Sequence, residues 1–187
     1  MLGIPVLKDE NGQLHLDPKL YNVYAKKLND DLKNDKLARF LVTLVGLTEK
    51  PVRGNIMLIK QAFMFLNEEP GLIKDKPDVL FFAHSYGPYS LEINEKVKTL
   101  EMDGIVEKTA KGLQLTHKGR KLFSEISEDY SQNQREGLVK YRKKLDQKGT
   151  RGILKIVYSK YPEYTKRSKI KKRVLGLKNL ENSNETH

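Results

Sequence analysis

The chain has 187 residues, carries a formal charge of +11 and contains no cysteine. That length admits about one domain with an appendage and excludes an α/β barrel. The missing thiols exclude disulfides, thiolate metal sites and a cysteine nucleophile. The longest apolar stretches, 37–47 and 56–66, fall short of the ~20 residues that a membrane span needs, so a soluble, cytoplasmic protein is expected.

Within 6–16, Asn11-Gly12 separates two short segments, a hairpin signal because both central residues of a type I′ turn need positive φ. Residues 21–36 suit a polar helix. Residues 37–47 are apolar nearly all round and predict a buried one, broken by Thr48-Glu49-Lys50-Pro51. Ile56, Ile59, Phe63 and Leu66 recur at three and four residues, which puts them on one face of a helix that stops before Pro70-Gly71. Residues 79–83 form a short apolar run, read either as a strand or as a buried connection.

His84-Ser85-Tyr86-Gly87-Pro88-Tyr89-Ser90 predicts a tight turn with Ser90 as the cap of the next helix, whose buried face is Ile93, Val97 and Leu100. Segments 105–108 and 112–115 follow as a hairpin, and an amphipathic helix directs Leu122, Phe123, Ile126 and Tyr130 inward. Two more helices are predicted, over 135–147 with Leu138, Tyr141 and Leu145 inward, and over 153–161 with Ile153, Leu154, Val157, Tyr158 and Tyr161 as a wider stripe. That wider stripe suits core packing or, failing that, a homodimer.

The order helix, helix, helix, hairpin, helix is that of a winged helix-turn-helix. The expected architecture is therefore mainly α, with a short β-hairpin wing, an N-terminal arm and a C-terminal helical extension. Its divisions fall at 1–36 for the arm, hairpin and first helix, 37–130 for the winged domain, 131–175 for the basic extension and 176–187 for a disordered tail.

Gly54-Asn55-Ile56-Met57-Leu58-Ile59-Lys60-Gln61-Ala62-Phe63, then Tyr86-Gly87-Pro88-Tyr89-Ser90-Leu91-Glu92, then Leu115-Thr116-His117-Lys118-Gly119 together resemble the YwgA-like proteins, a prokaryotic winged-helix family. These are distantly similar to the SocA-like Panacea antitoxin domain, which shares a lysine-bearing apolar helix followed by a Gly-Pro turn. The resemblance covers roughly residues 37–125 and implies a winged-helix fold and a regulatory role, with no catalytic residue carried across.

Net charge is 0 over 1–36, −1 over 37–105, +5 over 106–150 and +7 over 151–187. A polyanion should therefore be held by the second half, where fixed cations replace the counterions condensed on phosphates. The candidates are Lys108, Lys111, Lys118, Arg120 and Lys121 on the wing and the helix behind it, and Lys140, Arg142, Lys143 and Lys144 beyond. The helix over 90–103 carries Glu92, Glu95, Glu101 and Asp103 against Lys96 and Lys98. Only its start, through Tyr89, Ser90 or Asn94, is expected to approach bases. Double-stranded DNA is the favoured partner; the alternative is a protein docked on this acidic helix and the turn at Tyr86 and Tyr89, although both tyrosines are expected to pack beneath the turn.

Enzymatic features are missing from the sequence. His15, His84, His117 and His187 lack ligand spacing, and neither a nucleophile elbow nor a phosphate loop occurs. His84 reads as a turn or core histidine. No metal or cofactor is expected, and the predicted mode of action is non-covalent binding.

Overall fold

A computed structural model describes residues 6–8, 14–16, 26–27 and 30–176. The chain divides into two compact units, Met1–Asp35 and Lys36–His187. In the first, β1 (Val6–Lys8) pairs antiparallel with β2 (Leu14–Leu16), with Leu7 opposite His15. The Asn11-Gly12 turn, most of the polar helix expected over 21–36 and the tail from 177 onward lie outside the described residues. Residues 30–34 are helical.

The second unit is mainly helical. Its first helix, α1 (Lys36–Gly46), buries Ala38 and every residue from 40 to 45. The next, α2 (Gly54–Glu68), is the central element, buried on all sides from Met57 through Leu66. Ile56, expected on its inward face, stands 48% exposed because it lies on the first turn, before the helix enters the core. The all-round burial takes in two polar side chains, Lys60 and Gln61, which the single apolar stripe did not predict. Edge-to-face contacts of the Phe63 ring with Phe81, Tyr161 and Tyr164, at centroid separations of 5.0–5.1 Å, tie α2 to the C-terminal segment.

Apolar residues 79–83 are neither a full strand nor a buried connection, since Leu80 is 71% exposed. The strand begins later. β3 (Phe82–His84) and β4 (Gly87–Tyr89) form a hairpin closed by Ser85 and Tyr86, with Gly87 at φ +84°. Ser90 caps α3 (Leu91–Met102) by accepting from the Ile93 amide at 3.3 Å, and Ile93, Val97 and Leu100 make its buried face.

A second hairpin follows, β5 (Val106–Thr109) with β6 (Gly112–Leu115). Val52 joins it as a third, one-residue strand through reciprocal backbone bonds with Leu113 at 2.9 and 2.8 Å. Gly112 makes this junction possible. Its φ is +134°, and a Cβ there would lie 2.2 Å from the Val52 carbonyl oxygen. Substitution Gly112→Ala is expected to destabilise the protein by about 3 kcal/mol through strain and displaced backbone. Urea unfolding should show a lower midpoint with an unchanged slope.

Thr116 caps α4 (His117–Ser127) by accepting from the Gly119 amide at 3.0 Å. Leu122, Ile126 and Tyr130 are buried as expected, whereas Phe123 is only half-buried. The two helices predicted beyond it are both present within α5 (Gln132–Lys160) and meet at a kink at Gly149, where φ is 60° and ψ −179°. It starts at a capping box formed by Ser131 and Gln134. It packs along α2, so the expected C-terminal extension belongs to the same core. The stripe of Ile153, Leu154, Val157 and Tyr158 is spent on that packing and leaves no apolar face there for a homodimer. A 3-10 turn over Pro162–Thr165 then leads to the short α6 (Lys171–Leu175).

Candidate polyanion-binding face

On the first part of α5, Leu138, Tyr141, Arg142 and Leu145 recur at three and four residues and turn inward. The same periodicity turns Lys140, Lys143, Lys144 and Gln147 outward. With Arg135, Glu136 and Val139 they line a groove of about 690 Å³. Its one carboxylate, Glu136, accepts from Gln132 Nε2 at 2.9 Å. Lys144 extends its ammonium over the Tyr141 ring, 5.7 Å from the centroid.

Past the break, Lys148, Arg151 and Lys155 line a second depression of about 390 Å³ against the end of α6, with no carboxylate in its wall. None of Lys140, Lys143, Lys144, Lys148, Arg151 or Lys155 forms a salt bridge among the described residues. Lys140, Lys143 and Lys144 thus form one basic group before the kink, and Lys148, Arg151 and Lys155 a second one around it. Lys148, Arg151 and Lys155 were missed as site residues because the depression they line is completed by Val174, Leu175 and Gly176, from a later part of the chain.

The other expected contacts fare differently. Arg142 is no surface cation. It is fully buried, and Nη1 donates to the Leu44 carbonyl at 2.6 Å, Nη2 to that of Lys50 at 3.2 Å and Nε to Asp146 Oδ1 at 3.2 Å. Burial lowers its pKa, an effect opposed by Asp146. Asp146 also accepts from the buried Gln61 at 2.8 Å.

On the wing, Lys108 is paired with Glu101 at 2.8 Å, an acid outside its own hairpin. Lys118 donates to the Asp103 carbonyl at 3.0 Å and Arg120 to that of Leu115 at 2.8 Å, so both are held by backbone. Lys111 and Lys121 are exposed. Asn94 is half-buried; it accepts from Asn55 at 3.2 Å and donates to Glu95 at 3.3 Å, which occupies the amide proposed to read bases. On the same helix Glu95 pairs with Lys98 at 2.7 Å, a hydrogen bond that lowers the carboxyl pKa and raises that of the amine.

Around the Tyr-Gly-Pro-Tyr-Ser turn, Tyr86 is 43% exposed at the hairpin tip rather than packed beneath it. Tyr89 clusters with Phe82 and His84 at centroid separations of 5.5 and 5.0 Å. His84 is exposed at the end of β3 beside the turn, so of its two expected readings the turn one holds and the core one does not. Lys60 reaches the turn from below and donates to the Pro88 carbonyl. The full length of its side chain is buried, and desolvation lowers its pKa to about 7. Beside the turn, exposed Leu80, Phe82 and Leu91 share a depression of about 470 Å³ with Glu92 and Glu95.

No family model, curated protein or solved structure matches this chain. Among the described residues no group of three or more His, Asp or Glu side chains is placed to hold a metal ion. No helix among them is long and apolar enough to cross a membrane. The α5 surface offers two sets of cationic side chains without salt bridges among the described residues, one before the Gly149 kink and one around it.

Proposed function

We propose that the protein is a non-enzymatic, duplex-DNA-binding regulator that grips the phosphate backbone through the outer face of α5. The observation that carries this reading is the row of Lys140, Lys143 and Lys144 along one groove, none of them in a salt bridge, on the segment of α5 before Gly149. Each such cation that meets a phosphate releases a condensed counterion, and the row supplies this term without reading sequence. A winged-helix assignment for α1, α2, α3, β5–β6 and α4 is supported by their order and by the pairing of Val52 with the hairpin. It accords with the resemblance to YwgA-like proteins. The grip differs from that of most winged helices: α3 presents Glu92 and Glu95, and the wing cations Lys108, Lys118 and Arg120 are engaged within the chain.

Fluorescence anisotropy with a labelled duplex tests this directly. Affinity should fall steeply between 50 and 200 mM salt, as is general for proteins with several phosphate contacts. The triple substitution Lys140→Gln, Lys143→Gln, Lys144→Gln should weaken all duplex sequences alike and reduce the salt slope by about 3. Lys108→Gln should change little. Salt-insensitive binding, or no binding at low salt, rejects the reading.

One observation favours a second reading, a protein-interaction module of antitoxin type. Leu80, Phe82 and Leu91 are exposed together beside Glu92 and Glu95, a surface suited to a basic, apolar segment of another protein. A partner retained after nuclease treatment and lost on Leu91→Asp would favour it over DNA.

A further inference from the structure

Two of the large apolar side chains left exposed on the second unit, Ile56 at 48% and Tyr86 at 43%, face one cleft of about 500 Å³. Four elements build it: the first turn of α2, the tip of the β3–β4 hairpin, the segment of α5 just past Gly149, and α6. Its aliphatic walls are Ile56, Leu154, Ile170 and Val174, and Tyr86 adds an aromatic face. Arg151 and Arg173 approach it from α5 and α6. Neither guanidinium makes a hydrogen bond or ion pair among the described residues, and no carboxylate lines the cleft.

The volume lies within the range of small-molecule sites, and the almost wholly apolar walls are what the body of such a ligand requires. We propose that this cleft binds a small amphiphilic anion, an apolar body carrying a single carboxylate or phosphate head. The neutral side-chain hydrogen-bonding groups of the lining are the hydroxyls of Tyr86 and Thr150, the latter donating weakly to Met57 Sδ at 3.6 Å, too few for the several polar edges of a nucleobase. The walls therefore select against a nucleobase and for an alkyl or aryl body. Arg151 and Arg173, neither of them paired among the described residues, border the cleft from two helices and select for an anionic head, which a guanidinium can bind by fork-shaped, charge-assisted hydrogen bonds. The proposal goes beyond nucleic-acid binding and does not depend on it, since no residue of the cleft needs a duplex to be in place.

Isothermal titration calorimetry of the full chain with decanoate, decyl phosphate, decanol and adenosine monophosphate, without DNA and below micellar concentrations, tests it. Decanoate or decyl phosphate should bind with one site per chain, and whichever binds more tightly identifies the head group. Decanol and adenosine monophosphate should each be at least about tenfold weaker than that ligand, because each lacks one half of the recognition. The double substitution Arg151→Gln, Arg173→Gln should bring the anion down to the affinity of decanol. Ile56→Trp, at a half-exposed position where an added ring projects into the cleft without entering the core, should abolish binding while circular dichroism shows an unchanged fold. Binding that survives Ile56→Trp, a stoichiometry well above one, equal affinity for decanol, or no heat with either anion overturns the proposal.

Discussion

Replacing Arg142 by methionine is expected to destabilise the protein by about 3–5 kcal/mol, the range for breaking a buried, hydrogen-bonded charge pair by removing one partner. Leu44 lies in the last turn of α1, so its carbonyl has no partner within the helix and depends on the guanidinium. The Lys50 carbonyl would keep only the long 3.4 Å bond from Thr48 Oγ1, and Asp146 only that from Gln61. Three acceptors are thus left short at once. For a chain of this size the change lowers Tm by roughly 10 °C. Arg142→Lys should recover little, because one ammonium cannot span acceptors that a planar guanidinium reaches from three nitrogens. Combining Arg142→Met with Asp146→Leu should recover part of the loss by removing the stranded carboxylate. A thermal melt in which Arg142→Met unfolds with the wild type would show that the network contributes nothing. Duplex affinity of the folded variant should stay unchanged, which separates this arginine from the row on the opposite side of α5.

Stability should rise with pH between about 7 and 9.5, and Lys60 should be the source. Its pKa falls from 10.5 in the unfolded chain to about 7 in the fold. Below pH 7 both states hold the proton and the native state bears a buried charge. Above it the native state has released the proton while the unfolded chain still binds it, so the fold gains with each further unit until the unfolded amine titrates too. One proton corresponds to about 1.4 kcal/mol per pH unit, or roughly 3 kcal/mol across this window. The neutral amine still donates to the Pro88 carbonyl, so the anchor beneath the hairpin persists. Above pH 10 the trend reverses, because burial raises the pKa values of Tyr130, Tyr141 and Tyr158, and the unfolded chain ionises its tyrosines first. Urea titrations at half-unit intervals should give a rising line for the wild type and a flat one for Lys60→Met. Parallel lines would mean that the amine is not desolvated.

These two residues differ in what their surroundings in the sequence conveyed. Arg142 stands four residues after Leu138 and three before Leu145, an inward position on a helix. Its spacing placed it in the core while its charge, among Lys140, Lys143 and Lys144, suggested the surface. Charge is the weaker guide here because the exposed ends of α1 and the following loop supply carbonyls that only a buried donor can satisfy. Lys60 had no comparable signal. A lysine between Ile59 and Gln61 is unremarkable until α2 is covered on every side, and that covering comes from α5 and the hairpin, both remote in the chain.

What the sequence by itself determined is local: the extents of α1, α2, α3 and α4 and of the β5–β6 hairpin follow from apolar spacing, from the cap Ser90 and from the Pro and Gly breaks. Such signals act within a few residues and do not need the rest of the chain. Which charges remain available was decided only by the tertiary structure. Lys108, Arg120 and Arg142 are drawn onto internal acceptors, whereas Lys140, Lys143 and Lys144 before the Gly149 kink and Lys148, Arg151 and Lys155 around it are left without salt bridges. A cation's freedom depends on which acceptors folding brings to it, and those acceptors lie at sequence distances that no local pattern records.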